Sequence, residues 1–427
     1  MTRRTPRTEI VLMLAVVASA GATAWQFLRD GYLPQPFVFD TNDTFMDWFN
    51  TAYWANHTGA YEVWQSIYPP LSFAFLRLFS LGDCYLGSPF HARDCDWLGR
   101  GAIMVCYVVD VAMAGWAFAR AGAAWPRSVA FALGLPLLFT LERGNLILAC
   151  LPAFMLAYWP GPGAGRWRAL GTALTINFKP YLLVPALAGA IRREWRGLEV
   201  AGLATIAVYL VTYALVGSGS PQTLLTNTSQ WLTAIAGQPW NEVNYSTSYA
   251  SLLMLAKAPV SLFDFVPSRV IEGVQRWVPM VIGGTQAVAA VCVAAAWVQP
   301  RALAQGRLAA VLLGAYLVGQ SPGGYTQVFL LFLVLLEPWR GIGPRLAVIC
   351  GYLLCLVGDW PLATILDVQS NSWLSGRPVT ASFGLTVGHF LRPGLIVVMV
   401  LALSLDGIAA VVRAHRGHRP VLGLASA

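Results

Sequence analysis

The sequence predicts an all-α protein, a polytopic transmembrane helix bundle, and three observations support this fold class. Apolar residues make up 57% of the 427 residues and charged residues only 11%, whereas soluble proteins carry about 25% charged residues. Several apolar stretches reach the roughly 20 residues that a helix needs to cross a bilayer. The 17 Trp residues are typical of the aromatic belts at membrane surfaces. We therefore expect a single membrane domain that spans residues 1–427.

The topology follows from the arginines, which collect in seven short segments between apolar stretches. These segments contain Arg3, Arg4 and Arg7; Arg120 and Arg127; Arg166 and Arg168; Arg192, Arg193 and Arg196; Arg301 and Arg307; Arg340 and Arg345; and Arg413, Arg416 and Arg419. Cytoplasmic loops of membrane proteins are rich in Lys and Arg, so we place all seven in the cytoplasm. About twelve helical spans result, several of them incomplete. The net charge of +8 then needs no nucleic-acid partner.

The first apolar stretch, Ile10 to Leu28, is longer than the apolar part of most signal peptides. We interpret it as an uncleaved first transmembrane helix, with a signal peptide as the alternative. The next strong span, 101–121, must return to the cytoplasm, which leaves residues 29–100 as one long external loop. Within that loop, 44–58 has the pattern of an amphipathic helix, and the short apolar stretch 70–81 is expected to lie along the membrane surface.

Two hairpins follow, and polar motifs interrupt both. Residues 128–159 are interrupted by Glu-Arg-Gly-Asn at 142–145, and residues 169–190 by Asn-Phe-Lys-Pro at 177–180. Because their arms are shorter than a full crossing, we expect the polar tips to lie below the outer surface, beside a water-filled cavity. Pro180 fits the first position of a second half-helix, whose dipole would point at that cavity.

The rest of the chain continues this pattern. A third hairpin covers 308–338 and has its polar tip at 320–327. The remaining predicted segments are spans 198–217, 278–298, 346–364 and 388–411, and the external stretch 218–277 with a helix at 248–263.

Three carboxylates follow the first span, namely Asp40, Asp43 and Asp47. Asp43 and Asp47 are four residues apart and would share one face of a helix. A carboxylate at a partly desolvated membrane surface can have a raised pKa and accept a proton from a hydroxyl. The alternative is that Asp43 caps the helix and that the other acids are solvated surface charges.

The hairpin tips supply candidate substrate-binding groups. Lys179 could hold a phosphate, although a lysine can also extend to the membrane surface. Glu142 and Arg143 form either a structural ion pair or part of a site. Asn145 could cap a helix or bind a sugar hydroxyl. The remaining substrate-binding candidates are Asp40, Asn177 and Gln327.

Two of the seven cysteines, Cys84 and Cys95, lie in the first external loop, where an oxidising compartment would permit a disulfide. Whether the two thiols are joined stays open at this point. The sequence contains no Cys and His spacing that indicates a metal site and no glycine-rich nucleotide-binding loop. We therefore expect no metal and no cofactor.

Four motifs in this order resemble those of the polyprenyl-phosphate-sugar-dependent membrane glycosyltransferases of the C fold, specifically the mannosyltransferase-like family 87. The motifs are Asp-Thr-Phe-Met-Asp-Trp-Phe-Asn-Thr at 43–51, Tyr-Pro-Pro-Leu at 68–71, Arg-Gly-Asn-Leu at 143–146, and Phe-Lys-Pro-Tyr at 178–181, followed by Arg192-Arg193. The resemblance covers residues 1–200, a catalytic-type module, whereas residues 201–427 match only in hydropathy and are the more variable helices.

The resemblance implies transfer of a hexose, mannose-like first, from a polyprenyl-phosphate donor to a hydroxyl of a lipid or glycan acceptor, with inversion. The active site would face outward from the cytoplasmic (inner) membrane. Asp47 is the first choice for the general base, Asp43 the second and Asp40 the third. Lys179, and after it Arg143, would stabilise the charge that develops on the lipid phosphate. The alternatives are a polymerase of lipid-linked polysaccharide repeat units and a transporter or flippase of lipid-linked sugars.

Overall fold

The computed structural model describes residues 6–37, 40–160, 165–235, 245–255, 268–320 and 323–417. Its helices, in chain order, are α1 Arg7–Asp30, α2 Met46–Ala55, α3 Pro70–Leu78, α4 Pro89–Cys95, α5 Trp97–Arg120, α6 Pro126–Leu133, α7 Leu135–Arg143, α8 Ile147–Ala157, α9 Gly165–Phe178, α10 Leu183–Ala186, α11 Ala188–Ile191, α12 Trp195–Val216, α13 Pro221–Ile235, α14 Ala250–Leu255, α15 Ser268–Val298, α16 Gln305–Gly319, α17 Gln327–Leu335, α18 Ile342–Leu354 and α19 Gly388–Gly417. Short 3₁₀ turns occupy Gly82–Leu86, Pro180–Leu182 and Gly324–Thr326, and two strands, β1 Pro361–Ser372 and β2 Arg377–Thr386, form a hairpin.

Helices dominate the described part of the chain, as the sequence predicts. Five of them are long and apolar enough to cross a membrane, namely α1, α5, α12, most of α15 and α19. Their exposed faces are rich in Val, Leu and Trp, which fits contact with lipid. The count of twelve spans stays a prediction.

The three predicted hairpins are interrupted near their polar motifs. α7 ends at Arg143 and α8 begins at Ile147, while α9 ends at Phe178. In the third, α16 ends at Gly319 and α17 begins at Gln327. Pro180 is the first residue of the second arm, as predicted. It begins a 3₁₀ turn that leads into two helices of four residues each, and together they form an apolar helical segment, Pro180–Ile191.

A β-hairpin that the sequence analysis did not predict is added to this mostly helical fold. The predicted span 346–364 ends early, at Leu354, and the chain then turns at Gly358, whose φ is +87°. β1 and β2 pair antiparallel, with Asp367 opposite Ser382. Their β-branched residues favour strands, but the apolar stretch before them hides this signal. Of the predicted helix 248–263, residues 250–255 are helical and residues 256–263 lie outside the described residues.

The β-hairpin covers the loop that follows α1. The hydroxyl of Ser375 donates to the carbonyl of Gly31 at 2.6 Å, and the backbone N–H of Trp373 donates to the carbonyl of Thr41 at 3.2 Å. The side chain of Gln35 accepts from the N–H of Gly384 at 2.9 Å. The hairpin near the C-terminal end of the described chain therefore contacts the loop that contains the acids, near the N-terminal end.

A buried ion pair joins α1 to the other end of the bundle. Glu9 accepts from Arg127 at 2.7 and 3.0 Å, and Tyr352 donates to the same carboxylate at 3.0 Å. The remaining Arg127 nitrogen donates to the carbonyls of Leu335 and Glu337 at 2.7 and 2.6 Å. Both charged side chains are 2% exposed or less, so each depends on the other for its polar contacts.

We expect Arg127→Met to destabilise the protein by about 3–5 kcal/mol, because it leaves the Glu9 carboxylate buried without its cation. Thermal unfolding of the detergent-purified protein measures this loss. Arg120→Met is the matched control, since Arg120 ends α5 with an exposed side chain. Equal unfolding temperatures for the two variants would contradict the assigned role of the ion pair.

Candidate functional site

The acid loop, residues 40–45, is held from the side by α4. Arg93 is 2% exposed and donates to the backbone carbonyls of Asn42 and Thr44, the latter at 3.3 Å. A disulfide between Cys84 and Cys95, the last residue of α4, links this helix to the preceding 3₁₀ turn, and the two Cα atoms are 5.6 Å apart. The disulfide that the sequence left open is therefore present. These contacts fix the backbone that carries the acids.

Four side chains form what we call the acid cluster, namely Asp43, Asp47, Arg143 and Asn145. Arg143 contacts both carboxylates: its Nη1 lies 2.5 Å from Asp43 Oδ2, and its Nη2 lies 2.7 Å from Asp47 Oδ1. The Asn145 amide donates to the other oxygen of Asp47 at 2.7 Å. The first-loop acids and the tip of the first hairpin, predicted separately, thus meet in one place.

The acid cluster is partly shielded from solvent. The side chain of Arg143 is 17% exposed, that of Asp47 21% and that of Asp43 29%. Burial raises the pKa of the Asp43 carboxyl above its ordinary value, and the nearby Arg143 guanidinium opposes part of that rise. Asp43 therefore binds a proton more readily than an ordinary aspartate does.

A backbone contact brings the hairpin tip against the acid loop. Phe45 has a φ of 66°, which is unusual for a non-glycine residue, and its N–H donates to the carbonyl of Glu142 at 2.8 Å. The Thr44 hydroxyl donates to Glu142 Oε1 at 3.1 Å. Gly144 has a φ of +60°, and a Cβ there would lie 3.0 Å from the Cα of Phe45. Only glycine fits at this position without a shift.

The structure decides several alternatives that the sequence left open. Arg143 pairs with the two aspartates, and Glu142 accepts from a threonine, so the two neighbours are not a simple ion pair. The Asn145 side chain makes two contacts. Its nitrogen donates to Asp47, and its oxygen accepts from the N–H of Ile147 at the start of α8. Asp43 does not cap α2, since the side chain of that residue points to Arg143.

Lys179 lies in a second group, which we call the lysine cluster. Its other members are Tyr68, which the ammonium contacts, and Thr175 and Tyr181, which lie four residues before and two residues after Lys179 in the chain. The lysine is 7% exposed, so it does not extend to the surface. Its ammonium is 3.4 Å from the Tyr68 hydroxyl and 4.4 Å from the centre of that ring. Within the described residues it has no carboxylate partner in a salt bridge.

A row of three aromatic rings runs between the two clusters. Trp48 follows Asp47 in the chain, and its ring lies 5.9 Å from that of Phe75. Phe75 lies 5.5 Å from Phe178, the residue before Lys179. The acids and the lysine are thus connected through an aromatic row, and within the part of the chain that the structure describes no hydrogen bond or ion pair joins them directly.

Besides Glu142, three candidates do not belong to either cluster. Asp40 accepts from the N–H of Asn42 and from the hydroxyl of Ser370 at 2.9 and 3.1 Å. Asn177 donates to the carbonyls of its own helix and of α12 at 2.9 and 3.1 Å. Gln327 donates to the carbonyl of Ser246 and accepts from the hydroxyl of Tyr245, both at 3.2 Å. The role of these three side chains as substrate ligands stays a prediction.

Sequence reasoning missed several buried polar groups. Both carboxylate oxygens of Asp110, in α5, and the hydroxyls of Ser72, Thr175 and Tyr181 have no hydrogen-bond partner in the described part of the structure. Lys179 and Asp110 are both near enough to the thiol of Cys150 to act on it electrostatically. Unpaired buried polar groups are costly, so this interior is suited to a polar ligand. The position of Asp110, a carboxylate inside the apolar stretch 101–121, could have indicated this polar interior from the sequence.

Among the described residues, no group of three or more His, Cys, Asp or Glu side chains could hold a metal ion. In comparisons with known proteins, no family model, no curated protein and no solved structure matches this chain. The resemblance to the family 87 glycosyltransferases stays an expectation, and the functional argument rests on the site itself.

We expect Gly144→Ala to destabilise the protein by about 1–3 kcal/mol more than Gly122→Ala does. Both glycines have a left-handed φ, +60° and +69°, which costs an alanine about 1–2 kcal/mol. Only the alanine at 144 also meets the backbone of Phe45, whereas nothing lies within 4 Å of a Cβ at 122, and overpacking adds about 1–3 kcal/mol. Thermal unfolding of both variants tests the difference, and equal losses would show that the tip does not press on the acid loop.

Proposed function

We propose that this chain is an integral membrane glycosyltransferase. It would move a hexose, mannose-like first, from a polyprenyl-phosphate donor to the hydroxyl of a lipid or glycan acceptor, with inversion at the anomeric carbon. The observation that carries the proposal is the acid cluster, in which Arg143 and Asn145 hold both oxygens of Asp47 in place. A fixed carboxylate in a partly desolvated setting is what a general base needs.

In this mechanism an aspartate accepts the proton of the acceptor hydroxyl while that oxygen attacks the anomeric carbon. The bond between the sugar and the lipid phosphate breaks, and the phosphate leaves with the electron pair. Asp47 stays our first choice for the base because two N–H donors orient it. Asp43 is the second choice, since burial raises its pKa and so strengthens it as a base.

The leaving phosphate needs a cation, and Lys179 is the candidate. It is nearly buried, and the described residues offer it no acidic partner, so its charge is available to a ligand. Thr175 lies one helical turn before Lys179, and Tyr181 lies two residues after it. Neither hydroxyl has a hydrogen-bond partner in the described residues. A phosphate oxygen could accept from these groups together, and charge-assisted hydrogen bonds of this kind are strong.

We propose that the acid cluster faces away from the cytoplasm of the cell, at the outer side of the cytoplasmic membrane. The Cys84–Cys95 disulfide lies beside the acid loop, and disulfides persist in oxidising compartments. α5 leads from this region to the basic residue Arg120, which fits a cytoplasmic location for the other end. A lipid-linked donor also fits, because such donors are embedded in the membrane.

The transporter alternative has less support. Transporters of this kind are commonly built from structural repeats. In the described part of this chain, α2–α4 and the acid loop follow the first span, whereas the β-hairpin precedes the last one. The two halves therefore differ where the site lies.

We expect Asp47→Asn to lower transfer about 10²–10⁴-fold, the usual contribution of a general base. Lys179→Met should lower it about 10²–10³-fold, as for the loss of one group that stabilises developing charge. Membranes incubated with radiolabelled polyprenyl-phosphate mannose, glucose or arabinose provide the assay, with Asp43→Asn alongside. Asp83→Asn, an exposed acid of the same loop, is the control. No transfer from any donor, or full activity in all three site variants, would defeat the proposal.

The pH profile tests Asp43 separately. Its carboxyl takes up a proton at a higher pH than an ordinary aspartate does. As the pH is lowered, transfer activity should therefore fall at a higher pH than it would if the essential group were an ordinary aspartate. Asp43→Asn should either abolish transfer, if Asp43 is the base, or move the acid limb of the profile to lower pH. An active Asp43→Asn enzyme with an unchanged acid limb would show that Asp43 does not control the profile.

A further inference from the structure

An apolar groove of about 300 Å³ lies next to the acid cluster, and no member of the lysine cluster lines it. α1 contributes Ala20, Thr23 and Ala24 to its wall, α5 contributes Met104, and α7 contributes Leu138 and Leu141. Ala24 and the 44% exposed Met104 form its open rim, on two helices long enough to cross the membrane. The groove therefore opens toward the lipid that surrounds the bundle.

A single titratable side chain lies at the inner end of this groove. Glu142 lines it together with Thr44 and Phe45 of the acid loop, and its side chain is only 5% exposed. Its Oε1 accepts from Thr44, whereas Oε2 has no hydrogen-bond partner in the described residues. Burial raises the pKa of the Glu142 carboxyl to about 8, so this group is largely protonated near neutral pH. A buried polar atom without a partner is unfavourable, so Oε2 favours a ligand with a polar group that can form a hydrogen bond with it.

The charge of the groove indicates what kind of lipid fits. No Lys or Arg lines it, and the nearest arginine in sequence, Arg143, already contacts both Asp43 and Asp47. A lipid phosphate at this end would be buried without a free cation. A neutral lipid head with a hydroxyl, by contrast, would form a hydrogen bond with Glu142 Oε2 while its chain lay against the apolar wall.

We propose that this groove holds the hydrocarbon chain of the acceptor, and that the acceptor is a membrane lipid with an uncharged, hydroxyl-bearing head. The identification as acceptor rests on the proposed function, in which the donor phosphate lies at Lys179 beyond the row of three rings. The two lipids then bind at separate places, and the acid cluster beside the groove accepts the proton of the acceptor hydroxyl.

Photo-labelling in lipid nanodiscs tests the groove without any need for transfer activity. The probe is a diacylglycerol with a diazirine in one chain, and mass spectrometry locates the attachment sites. We expect labels on the α7 segment that contains Leu138 and Leu141. An excess of unlabelled diacylglycerol should remove them, whereas an excess of polyprenyl phosphate should not.

Ala24→Trp fills the rim of the groove and should weaken labelling of α7 about tenfold, the effect of losing roughly two buried CH₂ groups. Ala22→Trp is the matched control, because Ala22 is exposed on the same helix and does not line the groove. Ala24→Phe provides a smaller change in case the tryptophan disturbs folding, which thermal unfolding would reveal.

Three results would overturn the inference: no labelling of α7, equal labelling in the Ala22 and Ala24 variants, or competition by polyprenyl phosphate alone, which would assign the groove to the donor chain. If no donor supported transfer while the labelling behaved as expected, the glycosyltransferase proposal would fail and the lipid groove would stand.

Discussion

The contact of Arg143 with two aspartates is the constraint on which the rest of the site depends. Asp43 and Asp47 carry like charges and would repel each other without the guanidinium between them. Because Arg143 ends α7 and Asp47 lies in the first turn of α2, the same contact joins an interrupted hairpin to the loop after the first span. Phe45 and Gly144 support it from the backbone, and both have a positive φ, which is unusual for a phenylalanine and readily adopted by a glycine.

The interruptions of the bundle could be predicted from the sequence because they depend on local features. Each of these apolar stretches is too short to cross the membrane twice and has a polar motif in its middle. Few arrangements satisfy both conditions, and they predict the breaks at 143–147 and at 178–180. The β-hairpin could not be predicted in this way. Its strands are stabilised by pairing with each other and by contacts with Gly31 and Thr41, more than 300 residues earlier in the chain.

The membership of the site was only partly predictable for the same reason. Asp47 and Arg143 are 96 residues apart and Lys179 and Tyr68 are 111 apart, so the sequence could nominate the charged groups but not their pairs. The amides of Asn177 and Gln327 bond to groups of the protein in this structure, and their role as substrate ligands stays a prediction. An amide at a helix end can satisfy itself on nearby carbonyls, as both do here, and composition does not distinguish this from ligand binding.

The buried pair of Glu9 and Arg127 has a consequence for biosynthesis. α1 is synthesised before the partners of its Glu9 carboxylate, because Arg127 lies 118 residues later in the chain and Tyr352 343 residues later. The carboxylate therefore lacks both partners while the intervening residues are made. Its contact with Tyr352 forms only after α18 has been synthesised, so this part of the bundle is completed late.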